Sequence, residues 1–269
     1  MDKKELELHA NNVRRNIVSM VHAAKSGHPG GSLSGADLLT YLYFEVMDID
    51  DENADAIDRD RFVLSKGHAS PLLYSVLAEK GILKDDLMGF RNIDSKLQGH
   101  PNMRYVRGVD MSTGSLGQGI SAAVGMALAN KADDNGHRIY FMLGDGESEE
   151  GEVWEAAMAA AHYKLDNLCG ILDNNGLQID GAIEDVIGPA PFKEKFEAFG
   201  WNVVSIDGHD FDEIADAFAQ AKACKGKPTM IVAKTVKGKG VSFMENNYKW
   251  HGSAPNDEQY AQAMKDLGE

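Results

Sequence analysis

The sequence predicts an α/β fold, an open parallel sheet with helices on both faces, and three observations carry that reading. From Arg138 onward, apolar strand-like runs alternate with helical patterns, as βαβ units require. Two successive runs end in Gly144-Asp145-Gly146 and Asp173-Asn174-Asn175-Gly176, small and oxygen-bearing residues at the strand ends where parallel sheets bind ligands. The 269 residues are 43% hydrophobic, enough for one substantial core, so a single domain over 1–269 is expected.

The elements follow in order. Leu6, Val13, Ile17, Met20 and Val21 are spaced for a helix from 3 to about 25, which Gly27-His28-Pro29-Gly30-Gly31 breaks. A second helix is expected over 35–47, a short strand at Phe62-Val-Leu-Ser65, and a helix over 70–79. Residues 81–115 read as irregular, a length that points to a functional loop. From Leu116 to about Lys131 runs a helix of small residues, including Gly119, Ala123 and Ala127, suited to close packing. Then come strand 138–143, helix 151–163, strand 168–173, a loop, helix 190–199, strand 202–206, helix 211–222 and strand 229–234. A polar, glycine-rich loop over 234–256 precedes a last helix over 257–267.

Composition narrows the function classes. With 27 basic and 42 acidic residues the net charge is −15, so the chain has no global electrostatic reason to bind nucleic acid or an anionic membrane. The charged start, Met1-Asp-Lys-Lys-Glu5, reads as neither signal peptide nor membrane span. Two cysteines, Cys169 and Cys224, make no disulfide framework, and a reducing cytoplasm fits.

The expected chemistry gathers at the two strand tips. Flanking glycines let backbone approach a ligand at Asp145, and the Asp-Asn-Asn-Gly tip should lie beside it. Each tip alone is a common turn; the pair, at the ends of successive strands, is far more specific. A carboxylate, an amide oxygen and a loop carbonyl make a hard-oxygen site suited to Mg²⁺, which takes few protein ligands and keeps substrate phosphates. The helix starting near Gly151 offers its N-terminus to an anion. Of nine histidines, His28, His68, His100 and His251 sit in glycine- or proline-flanked loops that let imidazoles converge on a polar ligand, although His137 and His209 also follow glycine. Zinc fits poorly, because no Cys or His pair has ligand spacing. The basic run Lys234-Thr-Val-Lys-Gly-Lys239 lacks the Walker pattern and reads as a solvated or lid loop rather than a phosphate cradle.

Gly144-Asp-Gly146 followed by Asn174-Asn175 resembles the thiamine-diphosphate motif of the transketolase family. Ser26-Gly-His-Pro-Gly30, Asp60 to His68, Gly99-His-Pro101, Thr113 to Gly119, Gln178-Ile-Asp-Gly181 and His251-Gly-Ser-Ala-Pro255 agree in the family's order. The resemblance covers nearly the whole chain and is closest to the family's N-terminal, diphosphate-binding domain. It implies the thiamine-diphosphate-binding fold, with Asp145, Asn175 and the Leu177 carbonyl as ligands of Mg²⁺ (Ca²⁺ or Mn²⁺ substituting). By the same resemblance Gly146 contacts the diphosphate, and Gly114, Ser115 and Leu116 line the aminopyrimidine. His68 and His251 touch the cofactor, His100 binds the donor's terminal hydroxyl, and His28 and His251 handle protons on substrate oxygens. His9, His22, His137, His162 and His209 match no family position. Glu150 matches a glutamate that links paired active sites across a subunit interface; Glu147, Glu149, Glu152 and Glu155 are read only as favouring the helix N-terminus.

The implied activity is transketolase, a transferase of two-carbon ketol groups from a ketose to an aldose, often as phosphates, in carbohydrate metabolism and the pentose phosphate pathway. The family's pyrimidine-binding domain, which carries a glutamate that activates the cofactor, is not recognisable here. A split enzyme is therefore expected, with a C-terminal partner subunit supplying that domain, an α₂β₂ assembly, and no turnover by this chain alone. The rivals are another thiamine-diphosphate enzyme (1-deoxyxylulose-5-phosphate synthase-like, or a transketolase for a specialised sugar) and a non-catalytic scaffold of the same fold.

Overall fold

The computed structural model describes residues 1–268. Helix α1 (Lys3–Ala24) starts in a capping box, the Asp2 carboxylate accepting from Glu5 N–H and the Glu5 carboxylate from Asp2 N–H. It buries the predicted stripe Leu6, Val13, Ile17, Met20 and Val21 and ends at Lys25 in the left-handed conformation. The break that follows is shorter than the sequence suggests, because α2 (Pro29–Ser34) starts at Pro29, whose missing N–H costs nothing in a first helical turn. The expected helix over 35–47 is divided into α3 (Ala36–Tyr41) and a π-helical turn, Leu42–Val46. Apolar spacing does not register an interruption that leaves the same side chains facing inward.

Strand β1 (Arg61–Leu64) and α4 (Ser70–Glu79) fall where expected. Residues 81–115 are irregular apart from the 3₁₀ turn Leu87–Gly89. Buried Asp110 ties this segment to β1, accepting from Arg59 Nη2 (2.6 Å), Arg61 Nη1 (3.0 Å) and the N–H of Phe62 (2.9 Å). Next come α5 (Gln118–Asp133), β2 (Ile139–Gly144), α6 (Gly151–His162) and β3 (Leu168–Asn174). The loop expected after β3 holds a two-stranded antiparallel hairpin, β4 (Leu177–Gln178) with β5 (Gly181–Ala182), and one helical turn, α7 (Ile183–Val186). These pieces are too short for periodicity to reveal. The chain finishes with α8 (Phe192–Ala198), β6 (Asn202–Asp207), α9 (Phe211–Ala223), β7 (Thr229–Lys234) and α10 (Asp257–Asp266).

The main sheet runs β1-β2-β3-β7-β6, every pairing parallel. Alternate residues feed opposite cores. Phe62, Tyr140, Met142 and Ile171 pack with α1, α3, α4 and α9 on one face. Val63, Phe141, Leu143 and Leu172 pack with α5, α6 and α8 on the other. Burial on both faces is why β2 and β3 read as continuous apolar runs. In register, Gly144 lies opposite Asp173, so the two expected tips are neighbours at the carboxyl end of the sheet. Both cysteines are free, and among the described residues no helix is long and apolar enough to cross a membrane.

Candidate active site

A cavity of about 350 Å³ opens beyond the carboxyl ends of β2 and β3. On the β2 side Asp145 is 3% exposed; its Oδ1 accepts from Gly146 N–H (2.8 Å) and its Oδ2 from Gly176 N–H (2.5 Å). Burial, and then the charge of Asp173, push the Asp145 carboxyl up to about 6, against those two N–H groups and the ammonium of Lys237. On the β3 side Asn175 donates from Nδ2 to Asp173 Oδ2 (3.2 Å) and accepts at Oδ1 from Leu177 N–H (3.2 Å). Gly176, at φ +78°, makes the left-handed turn that brings Leu177 back to the cavity wall.

Below these tips Asp173 is fully buried and gathers four segments. It accepts from Lys66 Nζ (2.5 Å), Ser34 Oγ (2.6 Å), Asn175 Nδ2 and Thr235 Oγ1. Burial pushes its pKa up, but Lys66 and the two hydroxyls outweigh it and hold the carboxyl below its ordinary range. Lys66, 2% exposed, also donates to the Gly31 carbonyl (2.7 Å).

Three of the four expected histidines form a triangle. Ring centroids are 5.3 Å apart for His28 and His68, 5.4 Å for His28 and His251, and 5.2 Å for His68 and His251. Burial is the main cause that lowers all of them: His28 to about 4, His251 to about 3, and His68 well below its usual value. The rings are therefore neutral at pH 7. His251 Nδ1 lies 3.1 Å from Lys237 Nζ, so it accepts and leaves Nε2 as the protonated nitrogen. The fourth, His100, is exposed and lies outside the cavity lining, against the backbone of Gly114: a Cβ there would be 3.3 Å from its ring.

Gly114, Leu116 and Gly146 line the cavity, whereas Ser115 is exposed and does not. The Gly146 N–H is turned to Asp145 rather than left free for a ligand. Glu150 lines the rim, exposed, as the N-cap of α6. Two readings from sequence are corrected. Glu147 does more than favour a helix N-terminus: it is 3% exposed and accepts from Ser65 Oγ (2.5 Å), Gly117 N–H (2.9 Å) and Gly144 N–H (3.0 Å), locking the 112–117 loop to the β2 tip. Lys237 is not a solvated side chain: it is 2% exposed, donates to the Leu177 carbonyl (2.9 Å), and is lowered to about 8 by burial despite Asp145 and Asp173. The buried roles of Asp173, Lys66, Glu147 and Lys237 escape sequence reasoning because nothing local marks a polar side chain as buried.

Among the described residues no group of three or more His, Cys, Asp or Glu side chains is arranged to hold a metal. A hard divalent cation needs fewer, and the residues present fit one: a buried carboxylate short of positive charge, beside an amide oxygen. The Leu177 carbonyl has the Lys237 ammonium as its partner. His28 Nδ1 and Gln178 Oε1, both on the cavity wall and buried, have no partner within the protein, as groups reserved for a polar ligand would.

Residues 6–269 match the family described as transketolase, thiamine diphosphate binding domain. The chain is 46% identical over 264 residues to a 6-deoxy-6-sulfo-D-fructose transketolase subunit of Clostridium sp. (strain MSTE9), covering 98% of this chain and 96% of that one. It is 41% identical over 272 residues to an apulose-4-phosphate transketolase subunit of Phocaeicola vulgatus, covering 100% and 96%. The crystal structure of transketolase from Campylobacter jejuni superposes with a TM-score of 0.93 at 39% identity; the match covers all of this chain but 43% of that one. With the fold, the paired strand tips and the sequence in agreement, this chain belongs to the transketolase family, in which it is the thiamine-diphosphate-binding, N-terminal part.

Proposed function

We propose that this chain acts as the N-terminal subunit of a split transketolase. With a partner chain bearing the pyrimidine-binding domain, and with Mg²⁺ and thiamine diphosphate, it transfers a two-carbon ketol unit from a ketose phosphate to an aldose phosphate in the cytoplasm. Support for the split arrangement comes from the two relatives named as subunits, each covered over 96% of its length. We propose an α₂β₂ assembly, with Glu150 on the cavity rim at the subunit contact.

The observation that carries the reading is the convergence of Asp145, Asn175, Lys237 and the histidine triangle on one cavity. Bound thiamine diphosphate supplies the nucleophilic carbon and the electron sink for breaking and making the carbon–carbon bond. Asp145 and Asn175 would hold the cation, and the Leu177 carbonyl would join them if Lys237, its present partner, paired with an anionic ligand instead. Lys237 neutralises diphosphate charge from the cavity floor. Gly114 and Leu116, which line the cavity, would take the aminopyrimidine, with exposed Ser115 between them in sequence. His68 holds the cofactor. Neutral His28 and His251 handle protons on substrate oxygens: His28 has an unpartnered Nδ1, and His251 offers the proton on Nε2 while Nδ1 accepts from Lys237. His100, on the exposed side of Gly114, meets the far hydroxyl of the donor.

A second reading concerns the sugar. Both relatives matched over nearly their full length are named for sugars other than the common pentose phosphates, 6-deoxy-6-sulfo-D-fructose and apulose-4-phosphate. A specialised ketose is therefore the substrate class to screen beside them.

The test is thermal unfolding with and without Mg²⁺ and thiamine diphosphate. Ligand at a hundred times its Kd stabilises by about 2.7 kcal/mol, a readily measured shift. Asp145→Ala should abolish that shift; a variant that shifts as far as the parent chain overturns the cation assignment.

A further inference from the structure

Outside the cavity, a chain of polar groups runs from α1 to the segment that carries Lys237. Arg14 on α1 grips Asp37 on α3 with both terminal nitrogens, Nη1 to Oδ1 at 2.9 Å and Nη2 to Oδ2 at 2.6 Å. Asp37 Oδ2 lies 2.7 Å from Nδ1 of His209, in the turn between β6 and α9. His209 Nε2 lies 2.9 Å from the backbone nitrogen of Val236. A backbone N–H can only donate, so Nε2 accepts, and the ring proton sits on Nδ1, donated to Asp37. This tautomer satisfies both contacts at once.

The Val236 N–H needs such a partner. The ladder between β6 and β7 ends at Asp207 opposite Lys234, so Val236 lies beyond its last rung. It is partly buried, where an unpaired N–H is costly. The next residue is Lys237, whose side chain reaches the Leu177 carbonyl and His251 Nδ1. Thr235 is tied to Asp173 by its hydroxyl, and Gly238 N–H to the Gly30 carbonyl (3.0 Å). Between these two anchors the Val236 N–H is held by a side chain from a different segment, the turn after β6.

We infer that His209 is a positioning residue for the cofactor site: held by Asp37 and Arg14, it fixes the backbone at Val236 and so sets where the Lys237 ammonium enters the cavity. The inference rests on the proposed function, since Lys237 must act on the cofactor for its placement to matter. His209 itself touches neither cavity nor ligand.

The experiment measures the affinity of the chain, assembled with its co-purified partner subunit, for Mg²⁺-thiamine diphosphate by fluorescence titration, for the parent and four variants. His209→Gln places a side-chain oxygen where Nε2 stands and still accepts from Val236. His209→Asn reaches Asp37 but falls short of Val236. We expect His209→Asn to weaken binding roughly fivefold to tenfold, the scale of one net hydrogen bond, and His209→Gln to stay within about twofold of the parent. In a Lys237→Met background, His209→Asn should add less than about a twofold loss, because the group it positions is gone. Equal losses in both backgrounds, or equal losses for Gln and Asn, overturn the inference and leave the proposed function standing. A parent complex that binds no thiamine diphosphate overturns the proposed function and this inference with it.

Discussion

At the scale of single residues, the site is built around an ion pair that water does not reach. Asp173 and Lys66, 0% and 2% exposed, meet at 2.5 Å, and two hydroxyls fill the remaining carboxylate positions. Such a pair contributes little relative to an apolar pair of the same volume, yet removing one partner strands the other. Lys66→Met should therefore destabilise the chain by ~3–5 kcal/mol, read as a lower urea midpoint at unchanged slope. Adding Asp173→Asn should restore a substantial part of that loss. A single variant as stable as the parent would mean that the pair is solvated and the floor of the site is not rigid. The sequence names Asp173 only as part of a turn, because its role depends on Ser34, Lys66 and Thr235, which lie far from it along the chain.

At the scale of elements, α5 illustrates how a composition signal becomes a contact. Its small residues predict close packing, and Gly119 delivers it: a Cβ there would lie 2.5 Å from both Cα and Oγ of Ser65, just past β1. Gly125, on the same helix, would place its Cβ with nothing within 4 Å. Gly119→Ala should cost ~1–3 kcal/mol through overpacking against backbone. Gly125→Ala should gain up to about 1 kcal/mol from helix propensity. Chemical denaturation of the two variants checks the contrast; two changes of the same sign would contradict the packing. The long helices and the five main strands were legible because their periodicity spans many residues. The π-helical turn at Leu42–Val46, the β4–β5 hairpin and α7 were not, since hydrogen-bond geometry over a few residues leaves no periodic trace.

At the scale of the whole molecule, three neutral histidines in one cavity make stability depend on pH. His28 and His251 have folded pKa values of about 4 and about 3 against an ordinary 6.5, and His68 moves the same way. The unfolded chain thus takes up protons first as pH falls below 6.5, and this contribution to stability is lost from there downward. Asp145 acts in the opposite sense: its folded pKa of about 6 lies above the ordinary 3.8, so its protonated form favours the folded chain as pH falls through 6. Glu147, raised by burial, acts with Asp145, and Asp173, held below its ordinary range, acts with the histidines. The three histidines gain their protons in the unfolded chain near pH 6.5, inside the window, and the unfolding midpoint should drop between pH 7 and pH 5. His28→Gln should make that drop shallower. A midpoint that holds steady or rises on acidification would show that the triangle is protonated when folded.

The sequence by itself determined the fold class, the order of the long elements, the family and the two strand tips, because local periodicity and short motifs encode each of them. It also indicated which histidines to look for, through the resemblance. Only the tertiary structure decided which of them meet: His28, His68 and His251 converge, while His100 stays on the exposed side of Gly114. Only the structure placed Lys237 inside the cavity, Glu147 under the 112–117 loop and His209 behind Val236. Burial and hydrogen bonding between distant segments are properties of the packed chain, and they alone set the charge state and direction of a polar side chain.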